Sequence, residues 1–263
     1  MHAKRFIVLI VSLILLHSSW GPQFKFLCNP VLACHGCALS WFACPIGVFI
    51  HYSGWHSFPF LAIGTVLLVG VLIGRLLCGW ICPFGFLQEI LYKIPTPKFE
   101  LPRWTAAIKY PILFFLVFYF PYKFGELTMF SFCRICPAGT LESAIPAYIT
   151  SGFPQSIFSI LLRLGALLIV LFLVIGNNRS FCKIICPIGT ILGILNKIAF
   201  WQVPKPQTQC ISCKKCDKAC PTSISPSTKF SKQIPVNRDI NCILCYECVY
   251  SCPETDQIDK KRR

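Results

Sequence analysis

Near its C-terminal end the chain carries two cysteine runs of identical spacing, and these constrain the fold more than any other feature. Cys210-x2-Cys213-x2-Cys216-x3-Cys220-Pro221 is followed by Cys242-x2-Cys245-x2-Cys248-x3-Cys252-Pro253. Two-residue gaps let a tight turn aim three thiolates at three corners of one iron–sulfur cube, and the fourth corner is filled from across the domain. The crossing assigns Cys210, Cys213, Cys216 and Cys252 to one [4Fe–4S] cluster, and Cys242, Cys245, Cys248 and Cys220 to a second. Structural zinc usually takes two pairs of ligands at short spacing, a less specific pattern than two full runs each closed by Cys-Pro.

The rest of the chain is too apolar for water. Of 263 residues, 55% are hydrophobic and 13% charged, where a soluble domain carries about 25% charged residues. The 23 Phe and 6 Trp exclude disorder. Four stretches approach the roughly 20 residues that cross a bilayer: Phe6–Trp20, Phe58–Leu77, Trp104–Pro121 and Ser156–Gly176. The first is short and follows Lys4 and Arg5. It reads as an anchor, with a cleaved signal peptide as the competitor. Gly70 and Gly74 form a GxxxG, a weak sign of close helix packing.

Charge supplies the topology. With the N-terminus inside, the inner side before residue 204 holds ten Lys and Arg, among them Arg5, Arg75 and Arg179, and the outer side holds only Lys25, Lys123 and Arg134. That positive-inside bias predicts a multi-pass protein of the cell membrane with both termini cytoplasmic. It also accounts for much of the formal +15 through the lipid bilayer, with no nucleic-acid partner. Residues 1–203 read as a transmembrane domain and residues 204–263 as a small cytoplasmic domain.

A single motif occurs four times within the transmembrane domain: Cys44-Pro-Ile-Gly, Cys82-Pro-Phe-Gly, Cys136-Pro-Ala-Gly and Cys186-Pro-Ile-Gly. Each has an upstream cysteine, at Cys37, Cys78, Cys133 and Cys182. The segments starting at Leu77 and Phe181 align throughout, as an internal repeat does. Pro favours the first helical position, so each preceding Cys is expected at an N-cap, where the helix dipole stabilises a thiolate. Gln88 and Glu89, just beyond the first inner motif, are expected on a polar stripe at the membrane interface. Cys78, Cys82, Cys182 and Cys186 fall on the inner side and are expected to converge on a further cluster or metal. The competing reading makes Cys-Pro-x-Gly a helix-start device with a small apolar Cys. On the outer side Cys28, Cys34, Cys37, Cys44, Cys133 and Cys136 are open to metal, with His35 or His51, or to disulfides.

The inner motifs, Cys78-Gly-Trp-Ile-Cys-Pro-Phe-Gly-Phe-Leu-Gln-Glu89 and Cys182-Lys-Ile-Ile-Cys-Pro-Ile-Gly, together with the tandem tail, resemble polyferredoxin-like membrane proteins of the NapH and NosR type, over about Phe58 to Pro253. The fold class expected is a mainly α integral membrane protein of about four transmembrane helices with a C-terminal 2[4Fe–4S] bacterial-ferredoxin-like α+β domain. The resemblance implies electron transfer between a quinone pool and other membrane or soluble redox proteins, as in a quinol dehydrogenase subunit. The outer cysteines depart from the family pattern, and no flavin-binding domain is present in the sequence.

No Cys-x-x-Cys-His motif occurs, so c-type haem is not expected. No histidine lies mid-span to hold haem b. Arg163, inside the fourth span, would cost about 2.5–3.5 kcal/mol at the bilayer centre and is expected to snorkel to the outer surface. The alternative function is a metal-handling or assembly factor whose outer cysteines bind or reduce a metal such as copper for another enzyme.

Overall fold

The computed structural model describes residues 3–18, 24–126, 128–152, 156–204 and 210–253. They are mostly helical. The first helix, α1 (Ala3–Leu16), is followed by a two-stranded parallel pair, β1 (Phe24–Cys28) and β2 (Phe42–Ala43). Next come α2 (Pro45–Gly54), α3 (Phe60–Ile73), α4 (Leu76–Trp80) and α5 (Pro83–Leu91). Two longer helices, Trp104–Phe124 and Ile157–Gly176, are the ones long and apolar enough to cross a membrane among the described residues. Only 17% of each is buried. Ile157–Gly176 shows Phe158, Leu161, Leu168, Ile169 and Phe172 to its surroundings, an apolar stripe that water does not tolerate and lipid does.

The boundaries fall close to those expected for these two, although the first changes its helical winding around Pro111, from a 3-10 start at Arg103–Ala107 to a π-helical stretch at Ile112–Tyr119. The Phe58–Leu77 stretch differs. It gives a 14-residue helix that stops at Gly74, whose φ is +59°, and restarts as α4 beyond Arg75. The turn is fixed by packing. A side chain on Gly74 would strike Asn196, and one on Gly70 would strike Leu195, so both glycines admit the helix Pro187–Leu195 and the residue after it.

Beyond Gly176 the chain enters the short helix Ser180–Ile184, then Pro187–Leu195, and reaches the tail. The cysteine runs predict an α+β tail. Its described residues instead hold the helices Lys215–Ala219, Pro226–Ser231 and Glu247–Tyr250 and no strand. Ser212, Lys214, Leu244 and Tyr246 all have positive φ, which curls the two cysteine loops into tight turns and is incompatible with extended pairing.

The tail has a core of its own around Val203, Phe230, Val236 and Leu244. It does not hang free. Ile243 and Cys245 belong to the main core with Cys78, Cys82 and Cys186, so the loop 240–245 is inserted against the two Cys-Pro helices. Arg5, at the start of α1, reaches the same place: it is buried and bonds Gly79 O at 2.8 Å and Glu247 at 3.1 Å. One end of the helices thus gathers the start of α1, both inner motifs and the tail. The opposite end gathers Leu16, His17, Trp41 and Glu142.

Candidate metal centres

Sixteen of the cysteines sort into sets by position. In the tail, Cys220, Cys242, Cys245 and Cys248 line one small cavity, and Cys242, Cys245 and Cys248 each lie near enough to Cys220 to feel its charge. The structure therefore brings Cys220 across to the second run, as the crossing requires. Cys216 and Cys210 neighbour each other in the same way. Cys213 is exposed, and Cys252 follows a helix packed against the one carrying Cys216. The two loops have one shape: φ is 55° and 56° at Ser212 and Lys214, and 48° and 62° at Leu244 and Tyr246. These lie two and four residues after the first cysteine of each run. Such alternation turns successive peptide N–H groups toward one side, a concavity suited to anionic clusters.

The inner Cys-Pro motifs form a second set. Cys78, Cys82, Cys182 and Cys186 are all buried and mutually close, each of Cys78, Cys82 and Cys186 being pushed up first by burial and then by the charge of others in the set. Cys82 and Cys186 are the N-caps of α5 and Pro187–Leu195, with φ/ψ of −64°/115° and −63°/111°. Gly189 N donates to Cys186 Sγ at 3.4 Å, and Gln88 Nε2 donates to Cys182 Sγ at 3.2 Å. The N-cap placement is as expected, but its electrostatic consequence is not. Burial outweighs the backbone N–H groups and pushes the Cys82 thiol up to about 12. The Cys78, Cys82 and Cys186 thiols, raised in this way, stay protonated at neutral pH unless a bound metal ionises them.

Three arginines outside the motifs organise this set. Arg75 and Arg179 each stand three residues before the first cysteine of their repeat, an equal offset that is visible in the sequence. Each crosses to the other repeat. Arg179 lies over Gly85, and Arg75 over Gly189, where a Cβ would stand 2.8 Å from its Nη2. The glycine of Cys-Pro-x-Gly is needed because a guanidinium occupies the space. Arg179 Nη1 donates to Cys78 O at 2.8 Å, and Arg75 Nη2 to Cys182 O at 3.3 Å. Glu89 bridges Arg179 Nε at 2.9 Å and Arg5 Nη2 at 2.5 Å. Burial raises the Glu89 pKa, but the Arg179 and Arg5 charges prevail and hold it below the usual carboxylate value. Glu89 and Gln88 do not lie on the expected interfacial stripe. Both are buried, because the arginines and Cys182 supply their partners inside.

The third set is at the opposite end. Cys34, Cys44, Cys133 and Cys136 line one cavity with His35. Of the outer cysteines, Cys28 and Cys37 do not line it. Among the described residues no group of three or more Cys, His, Asp or Glu is placed to hold a metal ion. The donors in each set are mainly thiols, the ligand type that iron–sulfur clusters take.

Comparison with known proteins agrees with the chemistry. Residues 55–102 and 158–205 each match the family described as a 4Fe–4S binding domain, and residues 209–258 match the 4Fe–4S dicluster domain. The chain is therefore an iron–sulfur protein built of ferredoxin-type 4Fe–4S domains. It is similar to an uncharacterised protein of Methanocaldococcus jannaschii, at 28% identity over 72% of this chain and 73% of that one. It is likewise similar to the putative electron transport protein YccM of Escherichia coli, at 26% over 75% of this chain and 54% of YccM. The regulatory protein NosR of Pseudomonas aeruginosa matches at 30% identity over 70% of this chain, but only 25% of NosR is covered. No solved structure matches.

Proposed function

We propose that the protein is a membrane-bound electron carrier whose tail clusters exchange electrons with a third centre at the inner Cys-Pro motifs. The tail would hold two [4Fe–4S] clusters, on Cys210, Cys213, Cys216 and Cys252 and on Cys242, Cys245, Cys248 and Cys220. Cys78, Cys82, Cys182 and Cys186 would hold the third. Such clusters supply one-electron redox change at potentials set by their surroundings. The observation that carries the reading is the seat of the loop 240–245. A Cβ on Gly79, the residue after Cys78, would strike Ile243 O and stand 3.4 Å from Cys245 N, so the backbone of the second tail loop lies against the first inner motif.

The chain's residues prepare that junction. Asn196 Nδ2 donates to Cys242 O at 2.8 Å, Arg75 Nη1 to Ile240 O at 2.7 Å, and Trp80 Nε1 to Leu244 O at 3.0 Å. Arg75 and Arg179 place positive charge beside thiols that become anionic on coordination. Four membrane crossings, with α1 and α3 joining the two long helices, and cytoplasmic termini complete the proposal. A quinone pool and soluble or membrane redox proteins would be the partners; the description of YccM as a putative electron transport protein supports a redox role. Anaerobic purification with iron counting and EPR tests it: about twelve or more irons per chain support the third centre, and about eight confine clusters to the tail.

A further inference from the structure

The thiols at the end remote from the tail lie outside every family match, since Cys34, Cys44, Cys133 and Cys136 fall in none of the segments 55–102, 158–205 and 209–258. They line a cavity of about 50 Å³, several times the roughly 10–15 Å³ that one water needs. Its other walls are mainly apolar, with Leu32, Ile46 and Phe132 among them. Cys44 and Cys136 are N-caps with φ/ψ of −71°/123° and −68°/120°, nearly the angles of Cys82 and Cys186. Cys34 and Cys136 flank Gly139: a Cβ there would stand at an ordinary 3.7 Å from both Cys34 Sγ and Cys136 Cβ. All four are free thiols.

We propose that Cys34, Cys44, Cys133 and Cys136 hold a further iron–sulfur cluster of the [4Fe–4S] kind at the far end of the helices. A second observation points to the same ligand. Arg163, on the helix Ile157–Gly176, is half-buried. Its Nε is buried with no hydrogen-bond partner, and its charge acts on Cys133. A cation inside a span is costly unless countered, and a cluster held by four thiolates is a net anion. Arg134 adds its charge to the same thiol. The pattern repeats the inner set in its N-cap cysteines and its arginine charge. Loading exchanges four S–H bonds for four Fe–S bonds and releases the protons, and a preformed cluster supplies iron and sulfide without change of oxidation state.

The site stands apart from the proposed inner centre, and the two are read separately. Full-length protein is purified anaerobically in detergent as parent, Cys34→Ser/Cys133→Ser and Cys78→Ser/Cys182→Ser. Iron and sulfide are counted per chain and EPR is recorded after dithionite. The outer pair is expected to lose about four irons relative to the parent while the tail signals persist, whatever the inner pair does. Equal iron in parent and outer variant overturns the proposal, as does zinc or copper in place of iron, or a disulfide among the four in the isolated chain. Should the outer variant fail to accumulate, Arg163→Met decides. Iron is expected at the parent level with one midpoint moved to more negative potential, because lost positive charge disfavours electron uptake. Unmoved midpoints overturn it.

Discussion

If the tail is seated against the Cys-Pro helices, Gly193→Ala should loosen it by an amount the geometry sets. Gly193 lies in the helix Pro187–Leu195, and a Cβ there would stand 2.5 Å from Ile240 O and 2.9 Å from Ile240 Cγ2. Ordinary contact begins at 3.4 Å, so the loop must retreat by about 0.9 Å. Forced overpacking of this kind costs about 1–3 kcal/mol. The bonds that resist are those from Arg75, Asn196 and Trp80 to Ile240, Cys242 and Leu244, each worth about 0.5–1.5 kcal/mol net and more from a charged donor. Strain and restraint are of one size, so the loop should open more often without leaving its seat. Converted at tenfold per about 1.4 kcal/mol, amide exchange over 239–246 should rise about 5- to 150-fold. Exchange followed by mass spectrometry on the detergent-solubilised protein reads this directly. Gly64→Ala is the control, because a Cβ at Gly64 meets nothing within 4 Å. Exchange within twofold of the parent in Gly193→Ala would refute the docked arrangement.

Further expectations follow from the charges and thiols. Glu89→Gln leaves Arg5 and Arg179 buried without their shared counter-charge, and should cost about 3–5 kcal/mol in denaturant unfolding; a loss under 1 kcal/mol contradicts the buried triad. Because the folded Glu89 pKa lies below its ordinary 4.5, its stabilisation is complete above that value and is lost as pH falls through the folded pKa. The stability gap between parent and Glu89→Gln should therefore close in acid, and a gap constant down to pH 3 would show that Glu89 does not titrate in this way. Cys220→Ser should abolish the cluster whose other ligands are Cys242, Cys245 and Cys248, leaving the Cys210 set. Loss of the Cys210-set EPR signal instead would reverse the crossing. Gly85→Ala, which drives a methyl into Arg179, should lower iron at the inner set while the tail iron holds, and unaltered inner iron speaks against the arginine's place there.

The chemistry is more legible in the sequence than the architecture. Spacing alone places Cys220 with the second run, since two-residue gaps leave a fourth corner open, and Cys-Pro places Cys82 and Cys186 at helix starts. The long helix Ile157–Gly176 is plain because no glycine of positive φ or proline interrupts it. Three things are not legible. Gly74 turns the chain only because Asn196 and its neighbours crowd it, a tertiary cause without a local signature. Burial lifts the thiols of Cys44 and Cys82 to about 12, and no spacing discloses how deep a residue lies. Cys34 rather than Cys37 joins Cys44 because the outer chain folds back between β1 and β2, with Cys34 N bonded to Glu142 at 2.6 Å, a contact between residues far apart in sequence.

The crossed arginines carry a consequence for ancestry. Each repeat leaves a hole at its own glycine and fills the hole of its twin, so neither half is complete by itself. Reciprocal exchange of this sort is the signature of an isologous contact, in which residue i meets j and j meets i. A single repeat unit would satisfy the same contact by pairing with a second copy of itself, and fusion of the two would then free each copy to diverge. The far end lacks this reciprocity: His35 covers Gly47, while a Cβ at Gly139 would meet only ordinary contacts.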